Sequence, residues 1–167
     1  MSVGPLDEAT VEKYRQAGEA LRTVLDEAAE MIEPGVAHLD VAEHAETRID
    51  ELADGAAFPV NISVDEEAAH GAAAPGGGRT IGEEMVKLDS GVHIDGWLAD
   101  TAVTVDFSGR ESIVEAASEA LDAAVELVEP GIETGVIGAE IESVIDGYGY
   151  NPVVNLTGHG LGHWEQH

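Results

Sequence analysis

The stretch from Lys87 to Phe107, KLDSGVHIDGWLADTAVTVDF, constrains this chain more tightly than any other. Asp95-Gly96 within it is the strongest two-residue hairpin turn signal in the sequence, because both residue types tolerate the left-handed backbone of a tight antiparallel reversal. A turn there pairs Ile94 with Trp97, and counting back sets Gly91 opposite Asp100. Side chains alternate between faces, so Asp89 shares a face with Gly91 and becomes a diagonal neighbour of Asp100. On a straight strand the spacing of the two aspartates would put them on opposite faces; the turn brings them together.

Two carboxylates converging on an apolar sheet repel each other and resist desolvation, and a divalent cation relieves both problems. Gly91, opposite Asp100, is expected to leave an open space in which an ion could sit. The competing reading is two solvated aspartates on an exposed face, in a chain with 34 acidic residues and 7 basic ones. Histidines favour the metal. NLTGHGLGHWEQH carries His159, His163 and His167 among glycines, and imidazole with carboxylate is a ligand set for zinc, manganese, iron or cobalt.

The formal net charge of −27 excludes nucleic acid and anionic membrane as default partners, since both would be repelled. Disorder is excluded as well, because 44% of the residues are hydrophobic and they recur at helical and strand periods. A folded chain with so acidic a surface, few lysines and small apolar residues suits a halophilic source with a high-salt interior. With no cysteine there is neither a disulfide framework nor a thiolate metal site. The sequence shows no secretion signal and no apolar run near ~18 residues, so a cytoplasmic location is expected.

Helical periodicity predicts a first helix over Asp7–Ile32 and a second from about Asp40 to Ala53. The order then recurs: MIEPGV at 31–36 is matched by LVEPGI at 127–132, between helices predicted over Ser112–Val128 and Thr134–Ile145. Both short helices lead into a predicted Pro-containing strand and a histidine, AFPVNISVDEEAAH in one copy and NPVVNLTGH in the other. An α+β fold with a duplicated helix–helix–strand unit is expected, with His70 and His159 on opposite sides of one site. GAAAPGGGRTIGEE (71–84) lacks the features of a phosphate loop and reads as a flexible connection.

In the order and spacing of Asp89, Asp100 and His159, with AFPVNIS, AAH and NLTGHGLGHWEQH, the chain resembles type II methionine aminopeptidases. These belong to the pita-bread (creatinase/aminopeptidase) metallopeptidase superfamily, and the resemblance covers essentially the whole chain. It implies that residues 1–167 are the amino-terminal part of a single pita-bread catalytic domain, with two glutamate ligands in a carboxyl-terminal part that is missing. It further implies two divalent metal ions (cobalt, manganese, iron or zinc) on Asp89, a bridging Asp100 and His159. Their hydroxide would remove the initiator methionine of nascent polypeptides. His70 would be catalytic, and would contact substrate together with His167 and Phe58.

By the same resemblance the complete enzyme is expected to be a monomer, and the 167-residue chain alone to be inactive. Two departures stand out: GAAAP follows His70 where the family carries a Tyr-Thr-Pro-like sequence, and the helical insertion of type II is absent. A proline-directed peptidase of the superfamily, or a catalytically inactive truncated or binding module on the same fold, are the alternatives. The AFPVNIS and NLTGHG matches favour methionine. His93 is expected to be non-ligating, and His38, His44 and His163 to be surface residues.

The charge generates a first prediction. Self-repulsion at −27 needs screening, so the helical circular dichroism should fall as potassium chloride is lowered from molar to millimolar. An unchanged signal at low salt would overturn the halophilic reading.

Overall fold

The computed structural model describes residues 6–166. They form two compact units: one runs to Ser108 and resumes at His159, and the other is Gly109–Gly158.

The first unit begins with α1 (Glu8–Glu30), whose N-cap Asp7 accepts a hydrogen bond from the Thr10 amide at 2.8 Å. This bond satisfies a donor that the first helical turn leaves orphaned. Helix α2 (His38–Leu52) starts two residues before the predicted Asp40, with no side-chain cap. Its first amide donates instead to the Arg79 carbonyl, at 3.1 Å, so a distant backbone segment does what a cap would do.

Three strands follow, β1 (Gly55–Val64), β2 (Met85–Ile94) and β3 (Trp97–Asp106), in an antiparallel sheet of order β1-β2-β3. The β2–β3 register is the predicted one, with Ile94 opposite Trp97 and Gly91 opposite Asp100. Asp95 and Gly96 both have positive φ, 48° and 79°, as a two-residue reversal of this hand requires.

Alternation along β2 divides the sheet. Val86, Leu88 and Val92 are fully buried and meet Val60, Ile62 and Val64 of β1 beneath the helices, where Leu21, Val24 and Ile49 complete the core. Ser90 shares that face, and its hydroxyl has no partner. The opposite face carries Asp89, Gly91 and His93.

The segment 71–84, expected to be a flexible connection, is tied down. The Ile62 amide donates to the Gly71 carbonyl at 2.7 Å, and the Gly71 amide to the Ser63 hydroxyl at 2.9 Å. Ile81 exchanges backbone bonds with Gly35 and Val36 and is buried in the core. A Cβ at Gly71 would collide with the Ile62 carbonyl, so this crossing of β1 admits only glycine.

The second unit contains α3 (Glu111–Leu127) and α4 (Thr134–Gly147), a long helix followed by a shorter one, close to the two helices predicted there. The strand predicted after α4 is not formed. Residues 151–158 join no ladder, and Val153, Val154 and Leu156 are exposed. A strand needs a partner backbone, and none lies beside this segment among the described residues. β1 differs in having β2 alongside it.

Two substitutions check where the core sits. Leu88→Ala should cost about 2–5 kcal/mol, as large-to-small changes at fully buried positions do. Leu121→Gln, on an exposed face of α3, should stay within about 0.5 kcal/mol. Chemical denaturation of both variants measures the difference.

Candidate metal centre

Asp89 and Asp100 reach the same face of the sheet as diagonal neighbours across β2 and β3. Asp89 is half-buried, and its pKa is raised, first by burial and then by the negative charge of Asp100. A hydrogen bond with Asn61 and the proximity of His70 pull it part of the way back. Two carboxylates are thus forced together with little to neutralise them.

His159 approaches from the segment that rejoins the first unit. Its Nε2 lies 3.3 Å from Asp100 Oδ2, and its Nδ1 is 3.3 Å from the Gly160 carbonyl. In the tautomer whose Nδ1 proton points to that carbonyl, Nε2 is the free nitrogen on the carboxylate side, the arrangement common among metal-bound imidazoles. Gln166 donates to the same oxygen of Asp100 at 2.5 Å. Among the described residues, no three histidine or carboxylate groups enclose a single metal position. The donor set suits a divalent cation in chemistry and charge, and the enclosure is incomplete.

Gly91 does not leave open space, contrary to expectation. Phe58 is its cross-strand partner on β1, and the Phe58 ring edge fills the place where a Cβ would project. The ring therefore lies in one row with Gly91 and Asp100. Asn61 lies in the next row, opposite Asp89, although three positions of alternation from Phe58 should put it on the other face. A register shift between Phe58 and Asn61, around Pro59, inserts one residue into β1 and turns both side chains to the same side.

His70 is exposed, with φ of 62°, and is fixed by the anchorage of Gly71 on β1. His167 lies outside the described residues. His93 turns toward the hairpin, where its Nδ1 accepts a bond from the Gly96 amide at 3.4 Å and its ring meets Trp164. His38 corrects an expectation. It is buried at the start of α2, with Nε2 3.5 Å from a Glu84 oxygen, because the 79–81 crossing covers it. His44 is half-exposed beside Glu27, and His163 is exposed.

Asn61, Gln166 and Trp164 are the members of this neighbourhood that sequence reasoning passed over. A polar residue inside the apolar run AFPVNIS was the one available signal, for Asn61.

Residues 12–167 match Peptidase_M24, metallopeptidase family M24. The chain belongs to metallopeptidase family M24. A methionine aminopeptidase of Archaeoglobus fulgidus is 50% identical over 157 residues, 93% of this chain and 54% of the relative. One from Pyrococcus abyssi is 43% identical over 159 residues, 94% of this chain and 54% of the relative. The chain thus spans about half the length of these relatives. Another, from Methanothermus fervidus, is 36% identical, and there the match takes 94% of this chain and 92% of the relative.

The crystal structure of a Thermotoga maritima methionine aminopeptidase superposes with a TM-score of 0.85 at 25% identity, covering 96% of this chain and 69% of that one. A Pyrococcus furiosus prolidase superposes at 0.83 and 24% identity, over 96% of this chain and 50% of that one, which shows the common fold. The chain accordingly has the α+β fold of M24 structures, over about half to two thirds of their length.

The raised pKa of Asp89 has a defined sign. The folded chain holds this proton more tightly than the unfolded chain, so the associated stability is full below the ordinary aspartate range. It is lost as pH rises through the raised value. In chelator, Asp89→Asn should therefore raise the melting temperature at neutral pH. The difference from wild type should shrink as the pH falls below the ordinary aspartate range. An unchanged or lowered melting temperature at neutral pH would show that the carboxylate is not strained.

Proposed function

We propose that this chain supplies the aspartate and histidine ligands of a metalloaminopeptidase centre that removes the amino-terminal methionine from nascent polypeptides in the cytoplasm. The observation that carries this reading is the convergence of Asp89, Asp100 and His159 on one sheet face, in a chain whose curated relatives are methionine aminopeptidases. Asp89, Asp100 and His159 would be the ligands in this chain for two divalent ions. Bound there, such ions supply activated water at neutral pH and polarise the attacked carbonyl. The two further glutamate ligands would come from the part of the relatives' length that this chain does not span.

The remaining groups work on the substrate. His70, beside Asp89 and anchored through Gly71, donates a hydrogen bond to the oxygen that gains charge as the amide is attacked. Phe58 presents an apolar wall over Gly91, in the same row as Asp100, suited to a methionine side chain. His167 would contact the substrate as well, as the sequence resemblance implies. A net charge of −27 matches a high-salt cytoplasm.

Two variants separate ligand from catalyst in a form spanning the relatives' full length. Asp100→Asn should lose both bound metal and turnover, because a neutral amide is a poor bridging ligand. His70→Ala should keep its metal while the rate falls about 10²–10³-fold, roughly 3–4 kcal/mol. Metal analysis with Met-Ala-Ser kinetics reads both. If His70→Ala also loses metal, His70 is a ligand and the assignment of roles fails. The 167-residue chain alone should bind metal weakly and leave Met-Ala-Ser intact.

A further inference from the structure

His159 is the first residue after the chain rejoins the first unit, so something must hold it against Asp100. A free segment following a whole folded unit would sample many positions. The segment is held by a cluster that contains both tryptophans of the chain. The Trp97 ring packs in tilted contact with His163 at 4.9 Å and with Tyr14 of α1 at 5.2 Å, and Trp164 packs on His93 at 4.6 Å. The backbone is fastened as well. The Trp164 amide donates to the Gly96 carbonyl at 2.8 Å, His163 Nε2 is 2.9 Å from the Asp95 carbonyl, and the Tyr14 hydroxyl donates to the Leu161 carbonyl at 2.9 Å.

Trp164 pays for its seat with a φ of 58°, a conformation that a bulky residue adopts only when its surroundings impose it. Its indole lies where a Cβ of Gly96 would be, so the hairpin glycine serves the turn and the seat together. None of the residues in this cluster belongs to the apolar core beneath the helices. Unfastening it is therefore a local event.

Resting on the reading of His159 as a ligand, we propose that the Tyr14–Trp97–His163–Trp164 clasp is a positioning device that holds His159 in the metal centre, with Trp164 and His163 as positioning residues. The hairpin that sets the two aspartates in register thereby also places the third ligand. Asp100 and Trp97 of the clasp lie on the same strand, β3, so carboxylate and imidazole are located by one rigid element.

Titration of the 167-residue chain with Mn²⁺ tests this, read by broadening of the aspartate carboxyl and histidine ring NMR signals alongside amide exchange. In wild type, Asp89, Asp100 and His159 should broaden together. In Trp164→Ala, the amides of β2 and β3 should stay protected and the aspartates should still broaden. His159 should drop out, with Mn²⁺ affinity reduced about 10-fold or more, as for other losses of ligand support. Trp164→Phe should restore His159. Broadening of His159 in Trp164→Ala at wild-type affinity would overturn the clasp alone. Absence of any wild-type broadening would overturn the ligand reading and the clasp with it. Loss of β2–β3 protection in Trp164→Ala would show a part of the global fold and overturn a local latch.

Discussion

The register of the β2–β3 hairpin decides on which face every important side chain of this molecule lies. A slip of one residue would exchange the two faces of β2. Asp89 would then enter the layer that Leu88 and Val86 fill beneath α1 and α2, and those apolar residues would be exposed. Burying an unpaired carboxylate there costs several kcal/mol, and so does exposing the core. The alternation therefore enforces the register along the whole strand, while Asp95 and Gly96 fix where the chain reverses. Helix packing, the aspartate pair and the seat of Trp164 all follow from that one alignment.

What the fold gains in order it partly returns at the site. Two carboxylates share a half-buried face, and the raised pKa of Asp89 records the free energy stored there. The nearby groups answer incompletely: Asn61 and His70 act on Asp89, while Gln166 and His159 act on Asp100. A sheet optimised for stability alone would carry apolar or neutral side chains at both positions. Unrelieved like charge on a rigid element is a cost that a bound cation converts into binding free energy.

How far this arrangement could be read from sequence depends on the range of the interactions behind each part. The hairpin was legible because turn chemistry and alternation are local, and Asp89 and Asp100 followed from counting. The contribution of β1 was not. The register shift near Pro59 breaks the alternation that counting relies on, so Phe58 fills the space expected above Gly91, and Asn61 unexpectedly faces Asp89. His38 is buried by a segment some forty residues further along the chain, which no local pattern reports. The strand expected near Val153 has suitable residues and no partner, and a strand is a property of pairs. The helices were legible to within a few residues, since a stripe of apolar side chains is a property of one segment.

The distribution of positive charge bears on how such an acidic chain keeps its hairpin in place. Only two lysines occur, and each braces one end of it. Lys87, at the start of β2, donates to the Asp65 carbonyl at 2.7 Å, and Lys13 of α1 pairs with Asp95 at the turn. The second pair is a surface ion pair, with Asp95 68% exposed, and such pairs contribute little and are screened by salt. At high salt Lys13 would hold the turn only weakly. Tilted ring contacts and backbone hydrogen bonds are not weakened in the same way, and excluded salts strengthen apolar contacts. The rings around Trp97 and Trp164 are therefore the fastening that high salt would leave in place. They lie at the same turn that Lys13 reaches.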